Sequence, residues 1–98
     1  MNDGVVKYRV EHTKTGSIDE TLFASLQPLR RRLKELGLIG VKEGVGYGNI
    51  SRRLSDGNFV ITATQTGHLP RLDGDGYALI TDYDEDSFCI KSKGAAKP

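Results

Sequence analysis

Ninety-eight residues with 37% hydrophobic content fit one small domain, and 14 basic against 13 acidic side chains leave a net charge of +1. That balance gives no global reason to expect nucleic acid or an acidic membrane as a partner. The single cysteine, Cys89, excludes an internal disulfide, and no apolar run approaches the ~20 residues of a membrane span, so a cytoplasmic setting is expected.

In chain order, Val6, Tyr8 and Val10 alternate with Lys7, Arg9 and Glu11, the period-two pattern of a half-buried strand over residues 4–11. Ser17 and Glu20 fit a capping box. Leu22, Phe23, Leu26, Leu29, Leu33 and Leu36 then recur at helical spacing, predicting a helix over 18–36. Pro28 should kink or restart it, and Gly37 suits the position just past its end. The glycines at 40, 44, 46 and 48 predict a loop over 38–48 whose backbone needs positive φ or close approach. Two hairpins follow. Residues 50–54 and 58–64 flank Ser55-Asp56-Gly57, and residues 77–83 and 87–92 flank Asp84-Glu85-Asp86. The expected order is strand, helix and four strands, with a short tail at 93–98.

Two segments carry the chemistry: Gly46-Tyr47-Gly48-Asn49-Ile50-Ser51, and Phe59 to Gly67 ending in Thr64-Gln65-Thr66-Gly67. Each sets glycine and small amide or hydroxyl residues at the end of an apolar, β-branched run. Convergent backbone N–H groups, unshielded at glycine, together with small polar side chains, are the material of an anion cradle. Gly48, Asn49, Ser51, Thr66 and Gly67 are the candidate ligands; His68 either lines the pocket or touches a substrate, or is a solvent-facing loop histidine. The same residue types also dominate ordinary turns for local reasons.

Together with Asp75-Gly76-Tyr77-Ala78-Leu79-Ile80 and Gly94-Ala95-Ala96-Lys97-Pro98, these segments resemble the N-terminal half of the class II aldolase/adducin family. The resemblance covers residues 29–98 and is densest over 45–83, and Leu33 to Gly40 resembles the end of the family's first helix. It implies an α/β fold, mainly an antiparallel sheet with one packed, kinked N-terminal helix, and a single domain over 1–98 that is only part of the family's. The GN-[IL]-S and IT-x-[ST]-G segments would hold a substrate's phosphate or carboxylate. The whole family domain implies a metal-dependent carbon–carbon lyase acting on a small sugar-like compound, its zinc or other divalent metal held by three histidines beyond this segment. A glutamate after a serine pair, falling just past Pro98, would be the catalytic acid/base. The chain alone is therefore expected to bind no cofactor and to supply only the cradle. Family sites lie between subunits, so a homo-oligomer or a complementing C-terminal half is the expected partner. A non-catalytic, adducin-like binding or assembly module is the alternative.

Other signals are weaker. His12 and His68 lack metal-ligand spacing, and Cys89, between Phe88 and Ile90 in an apolar strand, reads as a buried thiol. Asp82, Asp84 and Asp86 open like an EF-hand loop, but Ser87 and Lys93 occupy the positions that need glycine and glutamate. Gly44, Gly46 and Gly48 lack the dinucleotide spacing because Asn49 stands where the third glycine belongs. Arg30, Arg31, Arg32 and Lys34 read as a solvated helix face opposite the leucines, and one of Arg52 and Arg53 is placed to face the cradle.

Overall fold

The computed structural model describes residues 9–98. Its main sheet has five strands: β1 (Arg9–Lys14), β4 (Ser51–Arg53), β5 (Phe59–Thr62), β6 (Tyr77–Asp84) and β7 (Cys89–Gly94), in the order β1-β7-β6-β5-β4. A separate small hairpin joins β2 (Gly40–Lys42) to β3 (Val45–Tyr47). Two helices, α1 (Glu20–Phe23) and α2 (Leu26–Glu35), precede it. The fold is a compact α/β arrangement, and its sheet is mixed: three pairings are antiparallel, but β1 runs parallel to β7.

Four expectations change. The first strand was expected over 4–11; residues 4–8 lie outside the described residues, and the strand runs on to Lys14. The helix over 18–36 is divided at Ala24-Ser25, not kinked at Pro28. Pro28 is the third residue of α2, where a backbone N–H has no intrahelical acceptor, so its missing donor costs nothing. Asp19, not Ser17, caps α1: its Oδ1 accepts from the Thr21 hydroxyl at 2.7 Å and from Thr21 N at 2.8 Å, which hold its carboxyl below the usual range, while Ser17 Oγ donates to Asp75 Oδ1. The predicted loop over 38–48 contains β2 and β3, turned at Glu43 and Gly44, whose φ values of 54° and 81° suit a tight hairpin.

Gly37 does end the second helix. At φ 77° it donates to Lys34 O, and Leu38 N donates to Leu33 O at 2.9 Å, the paired bonds of a Schellman motif. The division at Ala24-Ser25 resets the helix phase. Leu26 and Arg30, four residues apart, turn inward, whereas Leu29 and Leu36 of the expected leucine stripe are 55% and 56% exposed.

Period-two alternation in β5 and β6 puts Val60, Thr62, Tyr77 and Leu79 against the helices, with Thr62 paired to Tyr77 and Val60 to Leu79. Ile18, Phe23, Leu26 and Leu72 complete the core. The Phe23 and Tyr77 rings stack with centroids 4.3 Å apart and planes 15° from parallel. Phe59, Ile61 and Ile80 occupy the other face of the sheet, half-buried.

Candidate functional site

The Gly48-Asn49 and Thr66-Gly67 segments leave the sheet at the same end, beyond β3 and β5. Residues 46–49 and 63–67, with Pro98, line one hollow of about 80 Å³, several times the space one water molecule needs. Thr64 N donates to Lys97 O at 2.8 Å, which brings the chain's last residues to its rim. Gln65, at φ 57°, accepts from Gly46 N through Oε1 at 3.0 Å and ties the two sides together.

Both glycines are required by packing. A Cβ on Gly67 would collide with the Gly40 carbonyl oxygen and lie 3.0 Å from its carbon; one on Gly48 would collide with Leu38 O and lie 2.9 Å from Ile39 Cα. The cradle loops are thus seated directly on the backbone entering β2 and, for Gly67, on Tyr47 at the end of β3. Among the described residues, the backbone N–H groups of Gly48, Asn49, Gln65, Thr66 and Gly67 have no protein acceptor.

Side chains fix the rest. Ile50 N donates to Thr62 Oγ1 at 3.2 Å, so the Thr62 hydroxyl hydrogen goes to Asn49 Oδ1 at 2.9 Å. This sets the Asn49 amide with Oδ1 committed and the Nδ2 hydrogens free of protein acceptors. Thr66 Oγ1 donates to Ala63 O at 2.8 Å, so this hydroxyl braces the loop with its hydrogen and does not offer it outward.

The structure brings Gly48, Asn49, Thr66 and Gly67 to one hollow but not Ser51 or His68. Ser51 opens β4, pairs with Ile61 and lines a different hollow of about 310 Å³ with Phe59, Ile61 and Ile80 on the outer face, whereas Asn49 lies before the strand and follows the loop into the cradle. His68 is exposed and lines neither hollow. Arg52 reaches back to Leu22 O at 3.4 Å and Arg53 lies 5.0 Å over the Phe59 ring, so neither faces the cradle.

The helix arginines need the largest correction. Arg30 is not on a solvated face: it is 1% exposed, and its Nη2 donates to Thr66 O at 2.8 Å, while its Nε has no partner. Burial lowers its pKa. Lys34, one turn on, donates from Nζ to Gly67 O at 2.6 Å. Sequence spacing held a signal for this, since 26, 30 and 34 form one i, i+4 row, but charge argued against reading it as inward. Arg30 and Arg31 also line a polar hollow of about 390 Å³ with Gln27 and Arg71.

No protein-family model, curated protein or solved structure matches this chain. No helix among the described residues is long and apolar enough to cross a membrane.

The metal that the resemblance implies does not fit the described residues, where no three His, Cys, Asp or Glu side chains converge. His12 is engaged by β7: Nε2 donates to Gly94 O at 3.1 Å and Nδ1 accepts from Ser92 Oγ at 2.7 Å in the neutral ring. Cys89 is buried within β7. Returning zinc to a chelator-washed sample is therefore expected to leave its melting temperature unchanged, as a calorimetric scan would check.

Proposed function

We propose that the hollow between Gly48-Asn49 and Thr66-Gly67 binds the phosphate or carboxylate end of a small, sugar-like substrate, as the corresponding segments would in a class II aldolase/adducin-like lyase. The observation that carries this reading is that one small hollow is lined by five residues whose backbone N–H groups have no acceptor among the described residues, together with the Asn49 amide. Gly67 is buried, so its unpaired donor gains most from an anion, while the exposed donors of Gly48, Asn49 and Gln65 are open to one that accepts from several at once. In this reading the chain's residues bind and orient; the metal chemistry belongs to the remainder of the family domain.

Titrating inorganic phosphate into ¹⁵N-labelled protein tests it. Amide shifts at Gly48, Asn49 and residues 65–67 are expected, with affinity on the order of millimolar. Asn49→Ala combined with Thr66→Ala should weaken it at least about tenfold by removing the amide donor and the loop brace. Shifts confined to Arg31 and Arg71 would move the anion to the other hollow and overturn the assignment.

The second reading, an assembly module, is favoured by the sheet's outer face, where Phe59, Ile61, Ile80 and Ile90 line a broad hollow. Concentration-dependent sedimentation without any phosphate response would support a second copy of this chain as the ligand of that face.

A further inference from the structure

The cradle's lining residues include no charged side chain, yet an anion site in water needs positive potential to compete with hydration. Two cations stand directly behind it. Arg30 and Lys34, one turn apart on α2, donate to the carbonyl oxygens of Thr66 and Gly67 at 2.8 and 2.6 Å. Among the described residues neither has a carboxylate within ion-pair distance, and the ion pairs are Arg9–Glu11 and Arg32–Glu35, both exposed. Arg30 is buried with its charge uncompensated.

Each of these carbonyls shares a peptide unit with the next N–H: Thr66 C=O with Gly67 N–H, and Gly67 C=O with His68 N–H. A cation on the oxygen polarises the whole peptide and strengthens its N–H as a donor. Among the described residues the Gly67 N–H has no acceptor, and its backbone is wedged against Gly40. We propose that Arg30, through the Thr66–Gly67 peptide, and Lys34, as a charge held at Gly67 O behind the cradle, are positioning residues that supply the cradle's positive charge without touching the bound phosphate or carboxylate. The inference rests on the cradle reading and adds the source of its charge.

Lys34 is the residue to vary, because it is partly exposed and the fold should survive its replacement. Phosphate titrations followed by NMR would compare wild type with Lys34→Met, Lys34→Gln and Lys34→Arg at low and high salt. Met and Gln should each raise Kd about five- to tenfold, Arg should stay within about twofold, and the differences should shrink at high salt. Before phosphate is added, the His68 amide proton should move upfield in Lys34→Met, since its peptide has lost the polarising cation. A Gln variant that binds like wild type would mean that a neutral hydrogen bond suffices, which overturns the charge claim. Unchanged affinity in Met and Gln, with binding still lost in Asn49→Ala, would overturn this inference and leave the cradle standing. Absence of any phosphate response in wild type would overturn both.

Discussion

Replacing Gly67 with alanine is expected to lower stability by about 3 kcal/mol and to abolish phosphate binding with it. The added Cβ would meet the Gly40 carbonyl, and backbone cannot rotate away as a flexible side chain can. Relieving the clash means separating the Thr66-Gly67 loop from the β2–β3 hairpin that shapes the hollow. At about 4–8 °C per kcal/mol for a domain of this size, the melting temperature should fall by roughly 12–24 °C. Gly16→Ala is the control: nothing lies within 4 Å of its Cβ, and the change should stay within about 0.5 kcal/mol. Thermal melts by circular dichroism decide between them. Equal melting temperatures for the two variants would show that the close approach at Gly67 has no energetic weight.

Tyr77→Ala should cost about 3–5 kcal/mol, because it empties a fully buried site and removes the ring stacked on Phe23. Tyr77→Phe keeps the stack. It leaves Gln27 Oε1 without the Tyr77 hydroxyl, a 3.0 Å bond in wild type, and should cost about 1–2 kcal/mol. The two variants also differ in alkali. Burial pushes the Tyr77 phenol above its ordinary value of 10.0, with the nearby Arg30 charge opposing the shift. Above pH 10 the unfolded chain releases this proton while the folded chain still holds it, so the unfolded state binds fewer protons and stability falls as pH rises. The fall ends once the folded phenol ionises as well. Urea midpoints at pH 8 and pH 11 should therefore separate more in wild type than in Tyr77→Phe, and an equal separation would remove Tyr77 from the alkaline response.

Local signals in the sequence were read well where the physics is local. Gly37 ends a helix because a left-handed residue is needed there, and Asp56-Gly57 turns the hairpin between β4 and β5. Arg30 was misread because its inward direction depends on helix phase. That phase was set by the division at Ala24-Ser25, which no leucine spacing reveals. Ser51 was misgrouped with Asn49 because proximity in sequence says nothing of which sheet face a strand residue takes until its register is known.

Composition and pattern by themselves determined an α/β chain with one helical region, paired strands and two polar, glycine-bearing segments at strand ends. Only the tertiary structure decided that those segments share a hollow, because their approach depends on β2 and β3 seating both glycines against backbone. It alone set β1 beside β7, a pairing between residues 80 apart in sequence that leaves no local trace. It alone turned Arg30 and Lys34 toward the Thr66 and Gly67 carbonyls, since a cation is drawn inward only where the folded chain supplies an acceptor to receive it.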